Sequence, residues 1–377
     1  MKIVHIVEAC FAGVGRHVLD LCLYQSKNHC VTVIFSGARC SQEFYERLRW
    51  LETQHGVVSY ECNFSRGMHL GDIGLFYQCK KYIAGIAPDI VHGHSTKGGL
   101  VSRVCSCEGA KVIYTPNAIY TMNPGLSAFS RKVVGGIERY LSRRTDAIIC
   151  VSPEEKVHVK KLGVDERLLA VIPNGIDPPA IYEKNLIRKE LNIPQSDMIV
   201  GFVGRIDKQK APQRILDVFA GLVECSKKQV VLVMVGDGPL LEESKVYALK
   251  IGIDKHVRWV GSRAGVWAMQ AFDCFLLPSD YEGFPYVVVE ACAVGLPVIT
   301  TSQSNVSIIV EDGVSGYVCD KDDIVSLVQA LCSYVDNPAE LQSASRHAIT
   351  RAKEFTLERM FENVMKLYAH THSRCAS

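Results

Sequence analysis

Two carboxylates, Glu282 and Glu290, lie on either side of the segment Gly283-Phe284-Pro285, which is expected to begin a helix. The apolar run before them predicts a buried strand that ends at Leu277, and a proline such as Pro285 suits the first turn of a helix. Free backbone N–H groups at a helix N-terminus can bind a phosphate, and carboxylates accept hydrogen bonds from hydroxyl groups. The segment therefore predicts a site for a ligand that carries both phosphate and hydroxyl groups.

Two cations, Arg205 and Lys210, follow Gly204 in a loop after the predicted strand 199–203. Cations in such a loop can neutralise a departing diphosphate, because they act on charge that grows in the transition state. Charged loops at strand ends are often only solvated, so this interpretation depends on the segment around Glu282. A further turn begins at Gly236, in Gly236-Asp237-Gly238-Pro239, and its glycines serve either ligand approach or the turn itself.

The loop with Gly13 and Gly15 joins the first predicted strand to a helix, and its glycines would let the backbone approach a phosphate. A dinucleotide-binding loop would have glycine where this chain has Val18, and an acidic residue after the second strand, which instead ends at Phe35-Ser36. Both determinants of NAD binding are thus missing. A tight turn without a ligand is the alternative interpretation.

Length and composition indicate a soluble protein of two domains. The 377 residues exceed an ordinary single domain, and 48% hydrophobic with 22% charged residues allows the whole chain to fold. A formal charge of +2 gives no indication of nucleic-acid binding. The short apolar start and the lack of a run of ~20 apolar residues predict a cytoplasmic protein without a membrane span.

The 15 cysteines lie mostly in apolar runs, which favours core thiols in a reducing compartment over disulfides. The sequence has no CxxC pair and no Cys/His quartet with zinc spacing, so no metal is expected. A basic stretch, residues 130–144, is either a solvated helix face or a contact with anionic lipid head groups, which would place the protein peripherally on the inner membrane.

Short β-branched runs alternate with helical patterns twice along the chain, which predicts an α/β fold of two Rossmann-like domains. Ligands bind at the carboxyl ends of such strands, so the two domains are expected to face one cleft. We predict domains 1–173 and 174–356 on either side of a proline-rich linker, with a last helix in 357–377 that packs back on the first domain. The predicted strands are residues 3–7, 31–35, 90–92, 111–115, 147–151, 199–203, 230–235, 257–260, 274–277 and 298–301.

Together these segments resemble the retaining glycosyltransferases of GT-B fold, in particular family 4, whose E-x7-E element corresponds to Glu282 and Glu290. The resemblance covers about residues 3 to 370. The motifs that carry it occur in the family's order: Gly13-Val14-Gly15, Pro88-Asp89-Ile90-Val91-His92-Gly93-His94-Ser95, Cys150-Val151-Ser152, Pro173-Asn174-Gly175-Ile176-Asp177, Gly204-Arg205 with Lys210, Gly236-Asp237-Gly238-Pro239, and Glu282-Gly283-Phe284-Pro285.

The resemblance implies a nucleotide-sugar donor and no metal or other cofactor. It implies that Arg205 and Lys210 hold the donor diphosphate, that Glu290 binds the ribose, and that Glu282 lies near the donor sugar. It also implies retention at the anomeric carbon, with the leaving phosphate taking the proton of the acceptor hydroxyl. Further donor contacts are implied for Gly13, Gly15, Gly204, Gly236, Gly283, Phe284 and Pro285.

The run that begins at His94 resembles members that build bacterial surface polysaccharides on a lipid carrier, which implies a polyprenyl-diphosphate-linked saccharide as acceptor. His94 and Asn117 are candidates for contact with the acceptor or a sugar. The chain departs from the family at Asn117, where histidine is common, at Ala211, where glycine is usual, and near Ser307, where glutamate is frequent. A GT-B-like epimerase or phosphorylase, and a binding scaffold without turnover, are the competing interpretations.

Overall fold

The computed structural model describes residues 1–62, 64, 72–195, 198–302 and 305–373, and these residues form two compact units. The first unit contains Met1–Asn174 together with the C-terminal helix α14 (Leu357–Ser373), and the second contains Gly175–Thr356. Among the described residues, none of the helices is both long enough and apolar enough to cross a lipid bilayer.

The first unit is built on a parallel sheet with the strand order β3-β2-β1-β4-β5-β6-β7. Its strands are β1 (Lys2–Val7), β2 (Cys30–Ser36), β3 (Val58–Cys62), β4 (Ile90–His94), β5 (Lys111–Thr115), β6 (Ala147–Cys150) and β7 (Leu169–Val171). Its helices, besides α14, are α1 (Ala12–Gln25), α2 (Gln42–His55), α3 (Asp72–Ile86), α4 (Ser95–Cys105), α5 (Ala128–Leu141) and α6 (Pro153–Lys161).

Helices cover both faces of this sheet, so its central strands are buried along almost their whole length, mainly with apolar side chains. Ile3 of β1 packs in a cluster with Leu21 of α1 and Val364 of α14. The alternate side chains, among them Val4, pack in a second cluster with residues of α3 and α4, such as Leu75. The two faces follow from the period-two alternation of side chains along a strand.

The second unit repeats this architecture with the strand order β10-β9-β8-β11-β12-β13. Its strands are β8 (Met198–Val203), β9 (Val230–Val235), β10 (Val257–Gly261), β11 (Cys274–Leu277), β12 (Val298–Thr301) and β13 (Gly316–Cys319). Its helices are α7 (Lys184–Glu190), α8 (Pro212–Cys225), α9 (Leu241–Lys250), α10 (Gly265–Met269), α11 (Tyr286–Ala293), α12 (Ile324–Asp336) and α13 (Pro338–Ala352).

The α/β class and the two Rossmann-like sheets are as predicted, but the sequence pattern predicts neither β3, β7 nor β13. These three strands lie at sheet edges. An edge strand pairs on one side only and is more exposed, so it is short or carries polar residues and lacks the apolar run that marks a central strand. β7 has three residues, and β3 has the mixed sequence VSYEC.

Most described cysteines are thiols, and several, such as Cys150 and Cys274, are buried in strands as predicted. The prediction is wrong for Cys225 and Cys332, which form a disulfide between the end of α8 and the middle of α12. Their separation of 107 residues in the sequence gives no spacing signal. The pairing arises because α8 and α12 pack side by side in the second unit.

Four buried histidines, His5, His17, His92 and His94, form an aromatic cluster in the first unit, which we call the histidine cluster. Burial lowers the pKa of His5 to about 4 and that of His17 to about 3, and it lowers the pKa of His92 and His94 well below the usual value. Charged imidazolium would lose its hydration here without an opposite charge in return, so the neutral form is favoured.

We predict that the first unit loses stability as the pH falls below 6.5. The unfolded chain takes up protons on these histidines near pH 6.5, whereas the folded unit resists protonation down to the lower folded pKa values, so acid favours unfolding. The free energy of unfolding should fall by about 2 kcal/mol for one such histidine between pH 6.5 and pH 5. Urea unfolding followed by circular dichroism across this range measures the slope.

The variant His17→Leu should flatten this pH dependence, because it removes one titrating group and leaves an apolar side chain. His347→Leu is the matched control, since His347 is exposed on α13. Equal slopes in the wild type and His17→Leu would contradict the assignment of the pH dependence to the histidine cluster.

Candidate functional site

Backbone strain marks the carboxyl ends of the central strands in both units. Described non-glycine residues with a left-handed backbone include Ala12 after β1, Ser95 after β4 and Asn117 after β5, with φ of 48°, 57° and 54°. In the second unit, Ala211 after β8 and Asn305 after β12 have φ of 49° and 51°. Such conformations cost free energy and cluster at functional sites, so the strain coincides with the strand ends at which this fold binds ligands.

The loops after β8 and β9 are in direct backbone contact, and this contact explains one of the predicted glycines, Gly236. The N–H of Gly204 donates to Val235 O at 3.0 Å. Gly236 has φ of 139°, and a Cβ atom on it would lie 1.9 Å from Gly204 O. Position 236 therefore requires glycine for packing, whether or not it also contacts a donor.

Lys210 and Glu282, which the sequence places in separate motifs, form a salt bridge with an Nζ to Oε1 distance of 2.5 Å. Their side chains are 15% and 7% exposed. Gln209 supports the same carboxylate, since its Nε2 donates to Tyr281 O at 3.0 Å and to Glu282 Oε2 at 3.4 Å. The structure thus brings together two of the three residues predicted to be catalytic.

The loop that carries Glu282 is held by hydrogen bonds from neighbouring strand ends. Asn305 Nδ2 donates to Glu282 O at 2.5 Å, and Thr301 Oγ1 donates to Ser279 O at 2.7 Å. The N–H of Asp280 donates to the carbonyl of Gln209 at 2.8 Å. Asn305 was not singled out from the sequence, although an asparagine shortly after a buried strand is a common left-handed turn residue.

The helix after this loop begins directly after Pro285, which was predicted to lie in its first turn. Pro285 occupies the N-cap position, in an extended conformation, and α11 starts at Tyr286. Phe284 is 9% exposed and packs edge-on against Tyr286, with ring centroids 5.8 Å apart. Glu290 lies half-buried on the second turn of α11, and its role as ribose ligand stays a prediction, as does the donor contact of Gly283.

Arg205 differs from Lys210 in its environment. Its side chain is 59% exposed and forms an ion pair with Asp207, Nη2 to Oδ2, at 2.5 Å. Asp207 also caps the short turn that contains Lys210, because its Oδ1 accepts from the N–H of Lys210 at 3.2 Å. Asp207 therefore orders both cations of the loop.

The backbone conformation of Ala211 explains why glycine is usual at this position in the family that the sequence resembles. It precedes Pro212, the first residue of α8, and its φ of 49° lies in the left-handed region. Glycine adopts this conformation without steric cost, whereas alanine pays roughly 1 to 2 kcal/mol. The glycine that is usual here in the family that the sequence resembles thus has a backbone reason, and this chain tolerates the strain.

In the first unit, the predicted glycines lie in the first turn of α1. Gly13 follows the left-handed Ala12, and Gly15 is buried. A Cβ atom on Gly15 would lie 3.0 Å from both the Cys10 carbonyl carbon and Phe44 Cδ2. Gly15 therefore has a packing function, and the donor contacts of both glycines stay predictions.

The side chain of His94 is fully buried in the histidine cluster and offers no accessible surface for the predicted acceptor contact. Gln25 Oε1 accepts from His5 Nε2 at 2.7 Å, so His5 Nδ1 accepts in turn from the Nε2–H of His94 at 2.9 Å. A direct contact with an acceptor would require the His94 ring to leave this hydrogen-bonded chain.

Ring nitrogens of His5, His92 and His94 lie within 4.8 Å of one another, a spacing that raises the question of a metal site. Both ring nitrogens of His92 are hydrogen-bonded: Nδ1 to Tyr368 OH at 2.6 Å and Nε2 to Thr115 Oγ1 at 2.7 Å. Both nitrogens of His5 and of His92 are thus engaged by protein groups, whereas His94 Nδ1 has no hydrogen-bond partner among the described residues. The engaged nitrogens of His5 and His92 favour a hydrogen-bonded core over a metal centre. Metal-independent action stays a prediction.

Asn117 lies in a strained loop that Glu155 holds in place. Asn117 and Ala118 have successive φ values of 54° and 77°. The Glu155 Oε1 atom accepts from the N–H groups of Ala118 and Ile119 at 3.0 and 2.8 Å, and its Oε2 accepts from Val151 N–H at 2.8 Å. One buried carboxylate thus ties the loop after β5 to the loop after β6.

Glu155 is a residue that the sequence analysis missed. Burial raises its pKa to about 7, and this effect outweighs the three N–H donors, which stabilise the carboxylate and lower the pKa. The available signal was Ser152-Pro153-Glu154-Glu155, a capping box in which Ser152 Oγ accepts from the N–H of Glu155 at 3.1 Å. That pattern indicates a helix start, but not that the carboxylate reaches a neighbouring loop.

Comparison with known proteins gives two family matches that together span most of the chain. The model described as "Glycosyltransferase Family 4" matches residues 11–179, and the model described as "Glycosyl transferases group 1" matches residues 183–354. An Escherichia coli UDP-Gal:alpha-D-GlcNAc-diphosphoundecaprenol alpha-1,3-galactosyltransferase is 30% identical over 263 residues, which are 66% of this chain and 67% of that protein. The lipopolysaccharide core mannosyltransferase LpsB of Rhizobium meliloti is 28% identical over 247 residues, 62% of this chain and 68% of that protein.

Solved structures show the same fold. HepE of Anabaena, crystallised with UDP and glucose, superposes with a TM-score of 0.82 at 20% identity and covers 98% of this chain and 100% of that one. The lipopolysaccharide glycosyltransferase WaaG superposes with a TM-score of 0.73 at 17% identity, covering 97% of this chain and 98% of that one. The two Rossmann-like units are therefore those of the GT-B fold.

The chain belongs to the group 1 glycosyltransferases, with a family 4 domain in its N-terminal half, and it is a glycosyltransferase. The family predicted from the sequence motifs is confirmed. The roles of the individual site residues stay predictions.

We predict that Glu155→Gln loosens the loop around Asn117. An amide offers one acceptor oxygen where the carboxylate offers two, and a buried N–H left without an acceptor costs about 1 to 3 kcal/mol. Amide hydrogen exchange should therefore quicken about 5- to 150-fold, at Val151 if the remaining oxygen faces Ala118 and Ile119, or at those two residues if it faces Val151. Glu154→Gln, on the preceding position of α6, is the control and should leave exchange at all three amides unchanged. Unaltered protection in Glu155→Gln would show that the carboxylate does not hold the loop.

Proposed function

We propose that this glycosyltransferase moves a hexose or N-acetylhexosamine from a nucleotide-diphosphate sugar to a hydroxyl of a polyprenyl-diphosphate-linked saccharide, with retention at the anomeric carbon. The product would serve surface polysaccharide synthesis on the cytoplasmic side of the membrane. The observation that carries the proposal is the Lys210–Glu282 salt bridge, which lies at the entry to α11, the helix that bears Glu290.

The relatives support the donor and acceptor classes. The Escherichia coli relative is named for a UDP-galactose donor and a diphosphoundecaprenol-linked acceptor, and HepE was crystallised with UDP-glucose. A UDP-sugar is therefore the first donor to test. A lipid-linked saccharide is likewise the first acceptor to test.

The geometry supports separate roles for the cations and the carboxylates of the second unit. Lys210 places a positive charge where a departing diphosphate needs it, and the partly exposed Arg205 can reach the same phosphates from the other end of the short loop. Glu282, fixed through its backbone by Asn305, can accept a hydrogen bond from a sugar hydroxyl, and Glu290 one from a ribose hydroxyl.

Retention is explained by departure of the diphosphate and attack of the acceptor hydroxyl on the same face of the sugar, through an oxocarbenium-like transition state. The bond from the anomeric carbon to the diphosphate oxygen breaks, and a bond to the acceptor oxygen forms. The leaving phosphate oxygen takes the acceptor's proton, so the scheme needs no separate general base. Lys210 stabilises the negative charge that develops on that phosphate.

We predict that Lys210→Ala and Glu282→Gln each reduce kcat at least ~10²-fold, the scale for removal of one preorganised charged contact. The matched control is Lys208→Ala, since Lys208 is an exposed lysine in the same short turn. Transfer assays with UDP-sugars and a lipid-linked acceptor give the rates. Near-normal kcat in both site variants would remove these residues from the donor site.

Loss of stability must be separated from loss of catalysis in these variants. Removing one partner of a largely buried ion pair leaves the other charge uncompensated, which is itself destabilising. The melting temperature and its rise on addition of UDP should be measured for each variant. The prediction holds if kcat falls at a temperature where the variant is fully folded.

We predict that transfer from an α-linked nucleotide sugar gives an α-linked product and continues in the presence of EDTA. NMR coupling constants of the new anomeric proton report the configuration. A β-linked product would contradict the retaining mechanism, and abolition by EDTA with recovery on adding a divalent cation would contradict metal-independent action. Incubation of the donor without acceptor serves as the control, since an epimerase would alter the donor itself.

A further inference from the structure

Helix α5 exposes a stripe of large apolar side chains that the first unit leaves uncovered. Phe129, Val133, Ile137 and Tyr140 are 79%, 46%, 49% and 57% exposed. Their spacing of four, four and three residues places all four on one side of the helix, in a band that we call the α5 stripe. Single exposed apolar residues are common on protein surfaces, but a continuous band along a helix marks an interaction site.

The opposite side of α5 is fixed to the protein, so the helix cannot rotate to bury the stripe. Glu138 is buried and forms a two-pronged salt bridge with the buried Arg103 of α4, at 2.7 and 3.3 Å. The Arg103 guanidinium also lies 4.1 Å from the centre of the Tyr114 ring. Breaking a buried pair of this kind is strongly destabilising, so the outward orientation of the stripe is a property of the folded unit.

Exposed basic residues border the stripe along one side. At 100° per residue, Lys132 and Arg139 fall on an arc of α5 next to that of Phe129 and Tyr140, and the exposed Arg143 follows in the 3-10 turn Ser142–Arg144 that continues the helix. An apolar band with a basic border is the pattern of a helix that lies in the interface of a bilayer with anionic lipids. The apolar side chains enter the boundary of the acyl chains, and the cations meet the head groups.

We propose that the α5 stripe and its basic border are the surface by which this protein binds an anionic lipid bilayer. Charge argues for a bilayer over a second copy of the chain. In a symmetric contact each stripe would meet its own copy, which brings the basic borders of two copies together in a like-charged interface. An anionic lipid surface is complementary to both parts of the stripe.

The surface lies close in sequence to the loop that carries Asn117. The chain runs from that loop to Ser127, which caps α5 by accepting a hydrogen bond from Ser130 N–H at 3.1 Å. Arg131 Nη2 of α5 donates a hydrogen bond to the carbonyl of Asn123, in the connecting segment, at 3.1 Å. Bilayer binding would therefore hold this loop near lipid head groups. That consequence for a lipid-linked acceptor rests on the proposed function, whereas the binding itself does not.

The test is flotation of the full-length protein with phosphatidylcholine vesicles, with and without phosphatidylglycerol. The wild type should bind the anionic vesicles and lose binding at high salt. The double variant Phe129→Ser with Ile137→Ser should weaken this binding about tenfold or more, because two apolar anchors are lost. The variant Lys132→Glu with Arg139→Glu should remove the preference for anionic vesicles while the melting temperature stays near that of the wild type.

The matched control is Val246→Ser with Leu249→Ser in α9, two residues that are 68% and 65% exposed in the second unit. This pair should bind vesicles as the wild type does. The proposal is overturned if the wild type does not float with anionic vesicles, or if the α5 variants bind as well as the control. It is also overturned if the Phe129→Ser with Ile137→Ser variant shifts a dimer to a monomer in light scattering without any change in vesicle binding.

A rise of the melting temperature with UDP, measured on the same samples, separates this proposal from the proposed function. Vesicle binding without UDP stabilisation would support the membrane surface and count against the donor site. UDP stabilisation without vesicle binding would support the donor site and overturn the membrane surface.

Discussion

Parallel pairing is the constraint on which both units depend. Because neighbouring strands run in the same direction, all their carboxyl ends meet at one edge of each sheet, and the loops at that edge must share a small space. In the second unit this crowding puts Gly236 against Gly204 and draws Lys210 to Glu282. In the first it brings the loop of Asn117 within reach of the Glu155 carboxylate. The left-handed residues at these strand ends are the local cost of this arrangement.

The fold could be predicted from the sequence, and so could the strand, loop and helix that carry the candidate donor site, because these features have periodic or short-range signals. Central strands such as β9, with its run VVLVMV, are apolar throughout. In the segment from Leu277 to Glu290, an apolar strand is followed by a polar loop and then by a helical pattern within a few residues. The edge strands β3, β7 and β13 lack the first kind of signal and were not predicted, whereas the edge strand β10 was.

The pairings within the site could not be predicted, because they join residues far apart in the sequence. Nothing near Lys210 indicates that its partner is Glu282, and nothing near Cys225 indicates Cys332. Glu155 shows a subtler limit. Its capping box was visible, but a carboxylate that caps its own helix can also hold a loop that follows another strand, and only the three-dimensional register of β5 and β6 shows that it does.

The contact between Gly204 and Gly236 restricts how the loops after β8 and β9 can evolve. A side chain at position 236 would collide with the carbonyl of Gly204, so neither loop backbone can be reshaped without the other. The side chains that these loops carry can therefore vary in sequence, whereas the backbone conformation of the loops cannot. Changes of specificity should therefore arise by exchange of side chains on a fixed backbone frame, and libraries for specificity engineering should leave Gly236 untouched.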